Sequence, residues 1–249
     1  MSGHNKWSTI KRKKAVEDNK RGQIFTKLIK EITLSAREGG GDPELNARLR
    51  SAIAAAKKAN MPADNIERAI KKGTGELPGT TYEEVSYGGY GPGGAAILID
   101  VVTDNKNRTT GELRHIFTRF GKELGEVSSV AWMFEKKGLI EIDGSKYKFD
   151  DILEIAIDSG AEDVVETGDV IQIYTQTENL YKVKKIFDDK KIETMNAMMT
   201  KKPQSTVKLN ESDASVMLKL IDTLEEHDDV QNVYSNFDIP DEIMEKLSK

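Results

Sequence analysis

The side chains able to do covalent or metal chemistry are few in this sequence, and they are scattered. Its three histidines, His4, His115 and His227, never fall at the spacing that puts two metal ligands on one helix face. There is no cysteine, which removes thiol nucleophiles, disulfides and every cysteine-based zinc site. Nor is there a G-x-S-x-G run to present an activated serine. Acidic pairs occur at Asp150-Asp151, Asp188-Asp189 and Asp228-Asp229. Paired carboxylates can hold Mg²⁺, but each pair borders a helix end or a turn, and no second ligand set sits at a defined spacing. They read as caps and solvated turn residues. His115, within an amphipathic pattern, reads as structural. These observations predict no catalysis and no metal site.

Two segments could hold an anion. The run Tyr87–Gly94 is rich in glycine, but it lies between two apparent strands, lacks the lysine of a phosphate loop, and contains Pro92, which has no N–H to donate. A structural loop is preferred, and Tyr82, Tyr87 and Tyr90 leave base stacking open. The second is Asp104–Thr109, at the start of a helix, which contains Arg108 and is followed by Arg114 and Arg119. It could bind phosphate, or Asn107 could simply cap the helix.

The cations carry the clearer signal. Residues 1–75 hold 17 Lys and Arg against 8 Asp and Glu, a net of +9, whereas the rest hold 20 against 34, a net of −14. A basic module on an acidic body attracts polyanions at one end and repels them elsewhere. The candidate nucleic-acid contacts are Lys6, Trp7, Lys11, Arg12, Lys13, Lys14, Lys20, Arg21, Lys27, Lys30, Arg48, Arg50, Lys57, Lys58, Arg68, Lys71, Lys72 and Arg108. Lysines bind phosphates, and Trp7 among them could stack on an unpaired base or staple its segment to the neighbouring helices.

The elements that must position these residues follow from periodicity. Residues 1–21 have too few apolar side chains for a core and read as a basic arm. Helices are predicted over 23–38, from Asp42 as cap with Pro43 at the first position, and from Pro62. Together they make a three-helix bundle over 22–76, with Lys27, Lys30 and Arg48 among its outward cations. Strands then alternate with helices. Strands are expected at 82–87, 95–103 and 128–134, with a helix at 107–120 between the last two. Residues 139–199 give β-α-β-β-α-β, and 204–235 supply a further strand, helix and strand. The expected class is α+β multidomain: the bundle, then two ferredoxin-like (β-α-β-β-α-β) domains, one inserted in the other. The host plait would span 77–135 and 203–240 and the insert 136–202, with 241–249 as a tail. Two consecutive domains are the alternative. No apolar run is long enough to span a bilayer, and the N-terminus lacks an apolar signal core, so a cytoplasmic protein without membrane partners is expected.

Several runs resemble the YebC family of bacterial regulators and the related mitochondrial translational activator of cytochrome oxidase subunit one. They are GHNKWSTIK (3–11), KRGQIFTKLIKEI (20–32), AREGGGDPELNARLR (36–50), ANMPADNIERAIKKGTG (59–75), EEVSYGGYGPGG (83–94) and TDNKNRT (103–109). The resemblance spans essentially the whole chain. It implies a three-domain protein without enzyme activity or cofactor. Two functions come with it: a transcriptional regulator binding DNA, or a ribosome-associated factor contacting ribosomal RNA and relieving stalled translation. It implies no agreed site residues.

Overall fold

A computed structural model describes residue 7 and residues 18–247. In chain order the elements are α1 (Asp18–Gly39), α2 (Ala47–Lys58), α3 (Ala63–Gly73), β1 (Glu83–Tyr90), β2 (Ala96–Thr103), α4 (Lys106–Arg119) and β3 (Leu124–Gly125). Next come β4 (Phe134–Asp143), α5 (Phe149–Asp158), β5 (Asp163–Thr167), β6 (Val170–Thr175), α6 (Leu180–Asp189) and β7 (Thr194–Pro203). The last are β8 (Val207–Lys208), α7 (Glu211–Glu225), β9 (Val230–Ser235), β10 (Phe237–Asp238) and α8 (Asp241–Leu247). The protein is thus mixed α and β, with antiparallel four-stranded sheets.

The chain divides into two compact units. The first runs through Ala131 and resumes over Glu211–Val233; the second holds Trp132–Asn210 and resumes at Tyr234.

In the first unit, α1, α2 and α3 close on Ile32, Ala36, Leu49, Ala52, Ala56, Met61, Ile66 and Ala69. Each large apolar side chain buried this way contributes about 1.5–3 kcal/mol. The crossing of α1 and α3 is close enough to need glycine: a Cβ on Gly73 would lie 2.3 Å from the Thr33 carbonyl oxygen. The start of α2 departs from the sequence reading. Asp42 accepts the Glu44 N–H (2.9 Å) and makes a turn, and the helix begins four residues later than its expected first position, Pro43. Asn46 is the cap. Its side-chain oxygen accepts the Leu49 N–H (3.0 Å), and its amide donates to Ser35 O and Gly40 O, both at 2.8 Å. A buried amide that satisfies both neighbouring segments outcompetes an exposed aspartate.

The sheet of this unit has the order β3-β1-β2-β9. Strand β1 runs three residues past its expected end, through Gly88 and Gly89, in register with β2 from Glu83↔Thr103 to Tyr90↔Ala96. The glycine-rich segment is explained by packing. A Cβ on Gly89 would meet the Phe117 ring of α4 at 2.7 Å, and one on Gly91 would meet Met217 of α7 at 2.4 Å. The expected strand at 128–134 is absent. Val127–Ser129 and Ala131–Met133 are single 3-10 turns, and a strand starts only at Phe134. Within that stretch Val130 is fully buried as a lone anchor beside Gly88, so no alternating face exists to pair.

The second unit contains the sheet β5-β6-β4-β7, and β8 pairs with β10 in parallel. Ile140, Ile142, Ile171 and Ile173 of the larger sheet pack on Ile152 and Ala156 of α5 and Leu180, Val183 and Phe187 of α6.

Replacing Gly73 by Ala is expected to cost about 1–3 kcal/mol, because the methyl group must displace backbone. Gly22→Ala, whose Cβ meets nothing within 4 Å, is expected to be neutral or stabilising. Urea unfolding of both variants checks the contrast.

Candidate nucleic-acid interface

The cations expected on the bundle's outer face divide into two groups once their surroundings are known. Lys30 belongs to the first group and corrects the sequence reading, because it is buried, not outward. Its ammonium pairs with the carboxylate of Asp229, and the two side chains are only 9% and 3% exposed. The other Asp229 oxygen accepts from Arg108 Nη2 (2.7 Å), Thr109 Oγ1 (2.6 Å) and Thr103 Oγ1 (3.2 Å). The backbone is fixed as well: the Val102 N–H donates to Asp229 O (2.9 Å), and the Asp229 N–H donates to Nδ1 of His227 (3.1 Å). Burial pushes this carboxyl up, but hydrogen bonds from Lys30, Thr109 and Arg108, with the charge of Lys30, more than offset it and hold the group well below its ordinary range.

Around this pair, α1 satisfies the exposed carbonyls at the C-terminal end of α7. Lys27 Nζ donates to Glu225 O (2.5 Å), Gln23 Nε2 to Glu226 O (3.3 Å) and Lys30 Nζ to Asp228 O (3.0 Å). Cations belong at helix C-termini, where carbonyls lack intrahelical partners. Arg48 makes a second anchor. It bonds Glu31 (2.7 Å) and Glu38 (2.9 Å) of α1 and Glu84 of β1 (2.6 Å). Desolvation works against its charge, but the carboxylates outweigh it and raise the guanidinium further above its ordinary value.

The second group faces solvent. Arg50, Lys57, Lys58, Arg68 and Lys72 are exposed on α2 and α3. Lys57 and Lys58 fall in the last turn of α2, and Lys71 and Lys72 in that of α3. Arg50 also reaches back to Pro43 O (3.0 Å) and Glu44 O (3.2 Å), and Lys71 pairs with Glu67 (2.6 Å). Arg21 is exposed, with its guanidinium 5.4 Å above the Phe25 ring. Trp7 is half-buried. Lys6, Lys11, Arg12, Lys13, Lys14 and the side chain of Lys20 lie outside the described residues.

An open cleft of about 850 Å³ lies over the Asp229 cluster, lined in part by Thr26, Tyr82, Arg108, Gly111 and His115. Arg108 stands at the start of α4, but the cap is Asn105, whose oxygen accepts the Arg108 N–H (3.1 Å), and not Asn107. Thr103 Oγ1 already accepts the Asn105 N–H (3.0 Å), which leaves Asn105 as the residue in extended geometry. Glu112, His227 and Asp229 bring donor atoms within 4.8 Å of one another. The histidine tautomer works against a metal there. Nδ1 receives an N–H, so Nε2 must carry the proton, and it faces Glu112 Oε2 at 3.0 Å. A metal-bound imidazole would need the reverse arrangement.

Asp229 is the residue that sequence reasoning misses. Its surroundings in the chain suggest a turn carboxylate, and nothing in the Asp228-Asp229 doublet separates the buried member from the exposed one.

Comparison with known proteins agrees over almost the full length. The family description "TACO1/YebC protein N-terminal domain" matches residues 5–76, and "TACO1/YebC second and third domain" matches 82–237. The chain belongs to the TACO1/YebC family. A relative from Syntrophus aciditrophicus named "Probable transcriptional regulatory protein" is 57% identical over 249 residues, all of both chains. One of the same name from Persephonella marina is 53% identical over 250 residues, again covering both completely. In structure this family member is similar to a conserved hypothetical protein of Aquifex aeolicus solved by crystallography. The TM-score is 0.86 and the identity 50%, over 91% of this chain and 94% of that one.

Asp229 supplies a pH test. Because folding depresses its pKa, its stabilisation is complete above the ordinary value of 3.8 and is lost as pH falls through and below it. Asp229→Asn is expected to cost about 3 kcal/mol at neutral pH. The gap between variant and wild type should close as pH drops below 3.8. Thermal melts from neutral to acid pH check it, and parallel curves would contradict it.

Proposed function

We propose that this chain regulates gene expression by binding nucleic acid through the phosphate backbone, with the outward faces of α2 and α3 as the contact. The observation that carries the reading is the exposure of cations on α2 and α3, whereas Lys27, Lys30, Arg48 and Arg108 serve the fold. Arg50, Lys57, Lys58, Arg68 and Lys72 remain exposed on two consecutive helices of a chain that is otherwise acidic. The printed names of the relatives support a transcriptional role. On this reading the chain works in the cytoplasm, without a cofactor or a catalytic step. DNA is the first expected partner.

A second reading, a translation factor on ribosomal RNA, is favoured by the make-up of the same faces. Ahead of their terminal lysines, α2 exposes Ala54 and Ala55, and α3 exposes Asp64 and Glu67. No row of Asn, Gln or Arg is presented for base edges, so contact with phosphate and shape is better served than sequence readout.

We infer further that the α/β part consists of two ferredoxin-like plaits, one inserted in the other. The order β5-β6-β4-β7 with antiparallel neighbours supports the inserted plait. The return of β9 to the sheet of β1 and β2 supports the insertion.

Combined substitution of Lys57, Arg68 and Lys72 by Ala should weaken duplex binding and lower the salt slope by about 0.9 for each phosphate no longer neutralised. Scrambled duplexes should be affected equally. Unchanged affinity and slope would refute this interface. Co-sedimentation with ribosomes after DNA digestion selects the second reading; its absence, with promoter footprints retained, selects the first.

A further inference from the structure

In the N-terminal half of α1, Gln23, Thr26, Lys27 and Lys30 recur at three- and four-residue spacing and share one face. The opposite face gives Phe25, Leu28, Ile29 and Ile32 to the core of the bundle. The polar face is not free. Gln23, Thr26 and Lys27 are half-buried and Lys30 is buried. Its donors are held by Glu226 O, Glu225 O, Asp228 O and the Asp229 carboxylate. A helix face rich in donors is thus seated on acceptors of the α/β part.

The joint is incompletely filled. The cleft of about 850 Å³ has Gln23, Thr26 and Lys30 on its α1 side and Tyr82, Arg108 and His115 on the other. Among the described residues, its lining includes the carboxylates of Asp104, Glu112, Glu226, Asp228 and Asp229, against the permanent cations Lys30 and Arg108. Glu226 and Asp228 are exposed and make no ion pair among the described residues. A phosphate chain approaching the closed joint is therefore repelled.

Opening the joint affects its two sides unequally. Asp229 keeps Arg108, Thr109 and Thr103, all from the α/β part. Arg48, the other fastening, loses Glu84 but keeps Glu31 and Glu38 of α1. Lys30 loses its carboxylate and the Asp228 carbonyl together, and Lys27 and Gln23 lose their carbonyls. The unmet demand falls on the α1 face, where an ammonium group without its carboxylate needs another anion or water. Polar joints within a chain open more readily than large apolar ones.

We propose that this face of α1 is a latent contact for nucleic-acid phosphates, closed by the chain's own carboxylates and exposed when the bundle swings from the sheet. The proposal rests on the nucleic-acid reading above and adds to it a second, regulated contact beside the faces of α2 and α3. Asp229 acts in it as an internal competitor of phosphate for Lys30.

The test uses the full chain and a labelled DNA duplex. Asp229→Asn should tighten duplex binding at least about fivefold and steepen its salt slope by about 0.9 for each phosphate newly neutralised. Asp228→Asn removes the same charge from the neighbouring position without releasing Lys30, and should change affinity far less. Adding Lys30→Met to Asp229→Asn should abolish the gain. The chain has no cysteine, so Thr26→Cys with His115→Cys places two spin labels across the cleft. Their separation should lengthen when duplex is added, and should already be longer without duplex in the Asp229→Asn background. An unchanged separation in that background with no gain in affinity overturns the proposal. Equal gains from Asp228→Asn and Asp229→Asn also overturn it, since net charge alone would explain them. So does a gain that polyglutamate reproduces, which would assign the face to an acidic protein. Failure here with wild-type duplex binding intact removes the latent face alone; absence of duplex binding in the wild type removes the nucleic-acid reading itself.

Discussion

The carboxylate of Asp229 is buried, and a buried carboxylate must be paired. Most of what is specific to the first unit follows from that requirement. Lys30 comes from α1, Arg108 and Thr109 from the first turns of α4, and Thr103 from the end of β2. One side chain therefore fixes the positions of three elements distant in sequence. The same cluster sets the path of residues 226–229, because the Asp229 backbone is bonded to Val102 and His227. His227 is thereby locked in one tautomer facing Glu112. A buried pair of this kind contributes little to net stability relative to apolar packing, but it heavily penalises any arrangement that separates its members. It specifies how the helices seat on the sheet.

That constraint changes how the basic character of the N-terminal segment is understood. A net charge of +9 over residues 1–75 suggests a uniformly attractive surface. Part of that charge is used internally. Lys30 and Arg48 neutralise carboxylates, and Lys27 meets carbonyls at the end of α7. Among the described residues, the exposed cations of this segment are concentrated on α2 and α3. The mechanism proposed for this family member is correspondingly modest: long-range attraction, phosphate contacts from rigid helices and little discrimination among base sequences.

Much of this architecture is legible in the sequence. The apolar stripes of α1 to α3, the β-α-β-β-α-β succession after residue 134 and the break at Gly39–Gly41 follow from periodicity and glycine alone. The differences arise where a tertiary partner decides the outcome. Asp42 and Pro43 look like a helix start, yet Asn46 wins because its amide is buried between two carbonyls. Residues 128–134 have strand-like composition, yet of residues 128–133 only Val130 is buried, and pairing begins only at Phe134. Lys30 lies on α1 in a sequence neighbourhood no different from that of Lys27, and only the fold supplies its carboxylate, 199 positions away. Local sequence carries no signal for a partner so distant. The glycines at 89 and 91 read as structural from sequence, but their reason, contact with Phe117 and Met217, requires the helices to be in place.

The central claim, that Lys30 and Asp229 act as a single fastening for the helical segment, is tested most directly by a double-mutant cycle. Lys30→Met, Asp229→Asn and the double variant would be compared with wild type by urea unfolding at neutral pH. The account predicts strong coupling, with the double variant clearly more stable than the sum of the single losses implies, by about 2 kcal/mol. Additive losses, with a coupling near zero, would show that the two residues contribute independently and would contradict it.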